Sequence, residues 1–192
     1  MMDSITDREL IEKLIAHDEQ AYEILLDKFE SSVFRFFYYS KGNHQIAQDL
    51  CGETFARFVA AIKNFRSDNS HSLKAFVFAI ARNILLENLR KKRLVKEDTS
   101  LLQEIASNKP SVFREVSSHD ELEYVLSIIK QFRESERQIL LFRFIEGLKI
   151  EEIADVMKMS VNSVKSHIHR SRKKICEILS KNNSHKEEFC NE

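Results

Sequence analysis

Apolar residues recur every three or four positions along most of the chain, which is the spacing of one face of an α-helix. In the first half of the chain this pattern predicts four helices, from about Asp7, from Asp18 to about Tyr39, from about His44 to Ile62, and from about Leu73 to Leu94. Local signals mark some of the ends. Thr6 and Glu9 have the spacing of a capping box, and the Gly42-Asn43 pair is typical of a helix end.

The pattern fades between residues 95 and 120, where polar sequence surrounds the only proline, Pro110. The stretch from Glu97 to Glu123 holds seven acidic and two basic residues, and we expect residues 95–120 to form an acidic, flexible linker. Beyond it the pattern predicts a helix around Leu122 to Ile129, a helix from Glu136 to Glu146 opened by a Ser135/Gln138 capping box and ended by Gly147, a short helix from Ile150 to Met157, and a long helix from Ser160 to Leu179. The predicted fold is all-α, with small helical domains at 1–94 and 121–181 and a polar tail at 182–192.

The last two predicted helices have the form of a helix-turn-helix, in which a tight turn at Lys158-Met159 joins a short helix to a longer one. The segment from Lys158 to Lys174 contains six basic residues and no acidic one, so one face of the longer helix is basic. DNA-reading helices of this type contact bases near their start and phosphates further along. We expect base contacts from Asn162, Ser163, Lys165 and Ser166, and phosphate contacts from Arg170, Arg172, Lys173 and Lys174.

The net charge of zero hides an uneven distribution of charge along the chain. Residues 1–30 hold nine acidic and three basic residues, whereas the segment from Arg82 to Lys96 holds six basic residues and the single acid Glu87. Two basic segments on a neutral chain indicate two surfaces for a polyanion, although a basic helix face that is merely solvated is the ordinary alternative. The aromatic cluster Phe34, Phe36, Phe37, Tyr38 and Tyr39 is interpreted as core in preference to a base-stacking surface.

Other classes of protein find little support in the sequence. It contains no Gly-rich phosphate loop, no nucleophile with a placed base and no metal-ligand cluster, so we expect no enzyme activity, cofactor or metal. His167 and His169 face different directions on a helix and are interpreted as polar contact residues. The start of the chain lacks the pattern of a signal peptide, and no run of apolar residues approaches membrane-spanning length. We expect a cytoplasmic protein.

The segment from Gly147 to Ile175 resembles region 4, the promoter-reading domain of extracytoplasmic-function (ECF) sigma factors. A helix-turn-helix of the LuxR type has nearly the same pattern, but the first domain distinguishes the two. The segment from Asp49 to Phe65 looks like the core-binding helix of the sigma-70 family, and that from Ala75 to Arg93 looks like its DNA-melting helix. The resemblance implies an alternative sigma factor that binds core RNA polymerase and promoter DNA, with an anti-sigma factor or another recruiting or regulatory protein as a further partner.

The resemblance also implies roles for individual residues. The residues that match the polymerase-docking helix are Asp49, Glu53, Thr54 and Phe55. Those that match the loop capturing a flipped base of the −10 element are Arg66, Asp68, Asn69 and His71. Positions beside the opening duplex are matched by Arg82, Asn83, Arg90, Lys91, Lys92 and Arg93. The family's −35 readers are matched by Lys165, Ser166, His169 and Arg170.

Three residues depart from the family pattern: Gly52 stands where glutamine is usual, Phe76 where tryptophan is usual, and Ala79 where a larger residue is common. These departures motivate one alternative function, a sigma-like adaptor recruited to DNA by another protein. A second alternative is a helix-turn-helix regulator, similar to LuxR, that binds DNA without polymerase.

Overall fold

A computed structural model describes residues 5–65, 72–98 and 119–181, and it describes the side chains of all of these except residues 64, 92–98, 119–123, 180 and 181. The chain forms two compact units, the first containing residues 5–98 and the second containing residues 119–181. None of the helices in these ranges combines the length and the apolar character needed to cross a membrane.

The first unit contains four helices: α1 (Asp7–Ile15), α2 (Glu19–Lys41), α3 (His44–Ala61, followed by a 3-10 turn at Ile62–Asn64) and α4 (Leu73–Asp98). The four predicted helices are therefore confirmed, although α4 extends four residues beyond the predicted end at Leu94 and into the expected linker. The rest of that linker, residues 99–118, and the tail 182–192 lie outside the described residues.

The helix ends of this unit follow from local hydrogen bonds. Thr6 Oγ1 accepts from the backbone N–H of Glu9 at 3.3 Å while the Glu9 carboxylate accepts from the N–H of Thr6 at 2.9 Å, which confirms the capping box. The pKa of the Glu9 carboxyl is lowered by the hydrogen bonds that this carboxylate accepts from the backbone N–H of Thr6 and from the Thr6 hydroxyl. Gly42 ends α2 with a φ of 67°, in the left-handed region where a residue without a Cβ is favoured.

The core of the first unit is rich in phenylalanine. Phe36, Phe37, Phe58 and Phe78 are fully buried, and the rings of Phe36 and Phe78 meet edge to face with centroids 5.8 Å apart. The interpretation of the aromatic cluster as core is thus confirmed for Phe36 and Phe37, whereas its remaining members, Phe34, Tyr38 and Tyr39, are half-buried.

Cys51 on α3 is also buried in this unit, facing α2. Its thiol donates a hydrogen bond to the carbonyl of Glu30 at 3.7 Å. Burial raises the pKa of the Cys51 thiol to about 11, and the nearby Glu30 carboxylate adds to the rise. The thiol therefore helps to join α3 to α2 in its neutral form.

The second unit contains α5 (His119–Ile129), α6 (Glu134–Leu140, followed by a π-helical turn at Leu141–Ile145), α7 (Ile150–Met157) and α8 (Val161–Lys181). The bounds predicted for the short helix are those observed for α7. Gly147 has a φ of 66° just after the π-helical turn, which confirms that it ends this helical segment.

The predicted capping box at Ser135 and Gln138 is wrong. The helix begins earlier, at Glu134, with Arg133 at the N-cap position and no side-chain cap. Gln138 is buried, and its amide donates to the Glu134 carboxylate at 2.9 Å. Gln138 thus lies in the core and bonds within α6, and it does not form the predicted cap with Ser135.

Candidate nucleic-acid and partner interfaces

The α7–α8 pair forms a helix-turn-helix whose turn is fixed by backbone geometry. Lys158 adopts a left-handed conformation with a φ of 54°, and the N–H of Met159 donates to the carbonyl of Ala154 at 2.9 Å. Ser160 then caps α8, because its Oγ accepts from the N–H of Ser163 at 3.2 Å. Val164 of α8 is fully buried, so the inner face of the helix is anchored and its outer face has a defined direction.

The outer face of α8 presents six of the side chains that the sequence assigned to contacts with DNA. Five are exposed and Ser163 is half-buried, and together they line one open depression on the surface: Asn162, Ser163, Lys165, Ser166, His169 and Arg170. Within it, the Arg170 guanidinium donates from Nε to the carbonyl of Ser166 at 3.3 Å. The surface combines cations, hydroxyls, an amide and an imidazole, which are the donors and acceptors that base edges and phosphates require.

The more distant basic residues of α8 do not all share this surface. Lys173 is exposed, but Arg172 is half-buried and already engaged by a neighbouring group, and the Lys174 ammonium lies 4.9 Å from the centre of the Phe132 ring. His167 is directed towards α6, where its Nδ1 lies 3.8 Å from the Glu136 carboxylate. His167 is thus a contact within the unit. Of the three more distant cations, Arg172, Lys173 and Lys174, Lys173 is the one that is exposed without such a contact.

On α3 the structure separates the four residues assigned to polymerase docking into two pairs. Asp49 and Glu53 are exposed, and Asp49 accepts a hydrogen bond from the Gln45 amide at 3.1 Å. Thr54 and Phe55 are buried, with exposed fractions of 0% and 8%, and the Thr54 hydroxyl donates to the carbonyl of Leu50 at 2.8 Å. Only the two acids are available to a partner, while Thr54 and Phe55 hold the helix in place.

Arg57, which the sequence interpretation missed, links α3 to α4. Its guanidinium makes two hydrogen bonds to the Glu87 carboxylate, at 2.9 and 2.7 Å, and one to the Glu53 carboxylate at 2.6 Å. The Glu87 contact is the main reason why the pKa of Arg57 is raised, and it likewise lowers the pKa of Glu87. The spacing of Glu53 and Arg57 signals a helical ion pair, but no local pattern signals Glu87, which is thirty positions away.

The exposed face of α4 carries Asn83, Arg90 and Lys91. Arg82 is half-buried, and burial lowers its pKa. The predicted sites that lie outside the described residues are Arg66, Asp68, Asn69 and His71, and the side chains of Lys92 and Arg93 are likewise not described.

The ends of the loop expected to capture a base are anchored within the first unit. Phe65, at its start, lies against Phe76 with ring centroids 4.7 Å apart, and Phe76 also meets Phe58 at 5.6 Å. Ser72, at its other end, caps α4 by accepting from the N–H of Ala75 at 3.1 Å. Phe76 therefore fills an aromatic site, as the tryptophan usual in the family would, but without an N–H donor.

The other two departures from the family pattern lie on the surface. Gly52 is exposed in the middle of α3, and a Cβ placed on it would have no neighbouring atom within 4 Å. Ala79 is half-exposed on α4. Crowding therefore does not explain the absence of a side chain at Gly52.

Comparison with known proteins links each unit to a known domain. Residues 25–95 match the family model described as sigma-70 region 2, and residues 122–175 match sigma-70, region 4. The two matched segments together make up well over half of the chain and occur in this order along it.

Individual proteins similar to the chain are named as sigma factors. The chain is 29% identical to the RNA polymerase sigma-H factor of Pseudomonas aeruginosa, over 93% of this chain and 96% of that protein. It is 26% identical to the ECF RNA polymerase sigma factor BldN of Streptomyces coelicolor, over 92% of this chain and 67% of that protein. A solved structure of the sigma factor RpoE of Bartonella quintana with the anti-sigma factor NepR has the same fold, with a TM-score of 0.66 and 21% identity over 83% of this chain and 96% of that one.

Proposed function

The chain belongs to the ECF group of the sigma-70 family, and from this premise we propose that it is an alternative sigma factor, which binds core RNA polymerase and directs transcription initiation at specific promoters. The observation that carries the proposal is the presence of both regions in one chain, in the order of the family. A LuxR-like regulator needs only a DNA-binding domain and leaves the region 2 unit without a role. The protein would act in the cytoplasm through the polymerase, and would not be an enzyme itself.

In this proposal the open surface of α8 reads the −35 element. A helix that enters the major groove can read base edges with residues on its first turns. Asn162 and Lys165 are exposed on these first turns. Lys173 is also exposed, two turns beyond Ser166, where we expect it to contact the phosphate backbone of the DNA. Phosphate contacts set the register of the helix while base contacts select the sequence. We therefore propose that the residues lining the depression on α8 select the base sequence, and that Lys173 raises affinity for DNA of any sequence.

The proposed polymerase contact is the exposed face of α3 around Asp49 and Glu53. Acids on a protruding helix face attract a basic partner and raise the rate of encounter. The hydrogen-bond partner of Asp49 is a neutral amide, which does not offset the negative charge of the carboxylate. Glu53, in contrast, forms an ion pair with Arg57. Asp49 is accordingly the stronger of the two candidates.

Region 2 would also hold the −10 element, with Asn83, Arg90 and Lys91 of α4 beside the duplex. The loop residues Arg66, Asp68, Asn69 and His71 are proposed, from the family resemblance, to capture a flipped base. Removing a base from the stack costs a few kcal/mol, roughly, which hydrogen bonds and stacking in such a pocket must offset. A regulatory protein partner is proposed as well, because the similar RpoE was solved together with an anti-sigma factor.

The test is transcription by core polymerase reconstituted with and without the protein on fragmented genomic DNA, followed by sequencing of the transcripts. A sigma factor yields transcripts that start at a common pair of elements only when it is present. DNA binding without any stable complex with core polymerase would overturn the proposal in favour of the LuxR-like regulator. A core complex that starts transcription only after another protein is added would favour the adaptor.

The contact on α3 is tested by reversing Asp49 and Glu53 to lysine and measuring co-purification with core polymerase. The matched control reverses Glu23 and Asp27, two exposed acids of α2, which changes the net charge by the same amount. We expect the α3 variant to lose core binding and the α2 variant to keep it. Equal binding by both folded variants would remove the α3 assignment.

A further inference from the structure

The segment from Arg82 to Lys96 has six basic residues and one acidic residue, Glu87. On a helix, an acid forms ion pairs with bases placed three or four positions later, and Arg90 and Lys91 stand at those two positions. Glu87 thus lies where it can neutralise the exposed cations of α4. Their proximity is evident in the pKa of Glu87, which is lowered by Arg57 foremost and to a smaller degree by Lys91 and Arg90.

The Glu87 carboxylate is, however, directed to the other side. Both of its oxygens accept hydrogen bonds from Arg57 of α3, at 2.9 Å and 2.7 Å. Arg57 holds the carboxylate with the planar, two-pronged geometry that lysine does not offer. Arg90 and Lys91 are left exposed, with no ion pair to Glu87.

We propose that Arg57 is a positioning residue, which holds Glu87 away from Arg90 and Lys91 and so keeps these two cations available for the phosphates of promoter DNA. The inference rests on the proposed function, because it assigns the exposed face of α4 to DNA. In this role Arg57 contacts neither DNA nor polymerase, and it acts through the Glu87 carboxylate that it holds.

A simple structural role for Arg57 accounts less well for this arrangement. The side chains of Arg57 and Glu87 are 40% and 44% exposed, and ion pairs exposed to this degree contribute little to stability. The packing of α3 on α4 is instead apolar, and the fully buried Phe58 of α3 meets the half-buried Phe76 of α4 edge to face. Removing the guanidinium therefore leaves the helix pair intact and changes the distribution of charge on its surface.

The Arg57 guanidinium should have the opposite effect on the binding of core polymerase, which is proposed to occur at Glu53 on α3. It hydrogen-bonds to Glu53 at 2.6 Å, and a basic group of the polymerase must compete with it for that carboxylate. Loss of Arg57 should thus weaken DNA binding while leaving core binding unchanged or tighter. A variant that merely unfolds the unit would weaken both.

The experiment uses holoenzyme reconstituted from core polymerase and the full chain, with a promoter recovered from the transcripts of the wild-type holoenzyme. Four proteins are compared with the wild type: Arg57→Gln, Glu87→Gln, the double variant, and the control Arg8→Gln, which breaks an exposed ion pair with Glu12 on α1. Affinity for a forked −10 duplex is measured from low to moderate salt, and core binding is measured in parallel.

We expect Arg57→Gln to bind the fork about tenfold more weakly at low salt, with the slope of log affinity against log salt reduced by about 1 to 2 units, because each masked cation removes roughly 0.9. Glu87→Gln should bind as well as the wild type or better, since no acid remains to mask the cations. The double variant should recover wild-type affinity for the same reason. Arg8→Gln should match the wild type throughout.

The inference is overturned if Glu87→Gln loses affinity as Arg57→Gln does and the double variant shows no recovery, since that pattern is expected of a clamp that only joins two helices. It is also overturned if Arg57→Gln matches the wild type. Both outcomes differ from failure of the proposed function, in which the wild-type protein itself gives no promoter-specific transcripts.

Discussion

Replacing Gly52 with alanine should make the first unit more stable. Gly52 lies in the interior of α3, is exposed, and has no atom within 4 Å of the position that a Cβ would take. Its φ is not in the left-handed region, which among the glycines is occupied only by Gly42 and Gly147. The substitution therefore adds a methyl group in open space, on a backbone that alanine adopts without strain.

The expected gain is about 0.5–1 kcal/mol in the free energy of unfolding, because glycine loses more conformational freedom than alanine when a helix forms. For a unit of this size, that gain corresponds to a rise in melting temperature of roughly 2–8 °C. Burial contributes little to it, since the added methyl group stays in contact with water.

Gly42→Ala is the matched control. The same methyl group is added in the same unit and again meets no atom within 4 Å, but the φ of Gly42 is +67°. Alanine in that conformation costs about 1 kcal/mol, so the two variants should differ by roughly 2 kcal/mol with opposite signs.

Urea unfolding of the full chain followed by tyrosine fluorescence would measure both variants. Three of the four tyrosines, Tyr22, Tyr38 and Tyr39, belong to the first unit, and the chain has no tryptophan to obscure them. Shifts of the same sign in both variants, or a loss of stability in Gly52→Ala, would refute the argument from backbone conformation.

Three further predictions concern the two units. Lys165→Ala should cost about 1–3 kcal/mol on the preferred −35 sequence and relax the preference at one base, whereas Lys173→Ala should weaken binding to all sequences alike and reduce the salt slope by roughly one; identical profiles across a sequence library would contradict this division. Lys158→Gly should raise the stability of the second unit by about 0.5–1 kcal/mol, because Lys158 occupies a left-handed conformation that glycine adopts freely; urea unfolding gives the sign. The folded pKa of Glu87 is lowered from 4.5, chiefly by Arg57, so the small stabilising effect of this exposed pair should be fully present above pH 4.5 and lost as the pH falls through the lowered pKa; an unfolding difference between wild type and Arg57→Gln that grew on acidification would contradict it.

The sequence alone predicted those features of the fold that depend on neighbouring residues. Capping at Thr6 and Ser160 requires a side chain within three positions of the N–H it satisfies, and the helix end at Gly42 requires only an absent Cβ. The outer face of α8 was predicted for the same reason, because helical spacing alone places Lys165 and His169 side by side. Each of these features depends on residues within one helix turn, and the sequence of that turn is therefore sufficient to predict it.

The features that were missed depend on contacts between distant parts of the chain. The pair of Arg57 and Glu87 exists only because α3 packs on α4, and His167 is directed inward only because α6 lies beneath it. The π-helical turn after Leu140 was missed for a related reason. Five consecutive residues, from Gln138 to Phe142, are buried, so the core surrounds this segment on more than one side and the usual amphipathic period does not apply.

The buried thiol of Cys51 can be used to detect separation of α3 from α2. A thiol with a pKa of about 11 is a thiolate in only about one molecule in a thousand at pH 8, against about one in ten for an ordinary cysteine. Alkylation of Cys51 is slowed by this low thiolate fraction and by burial of the sulfur, so we expect it to proceed mainly when α3 separates from α2 and frees the sulfur from the Glu30 carbonyl. The rate of Cys51 alkylation, measured on its peptide by mass spectrometry, thus reports how often α3 separates from α2. A partner bound to α3, the helix proposed to dock on polymerase, should lower this rate.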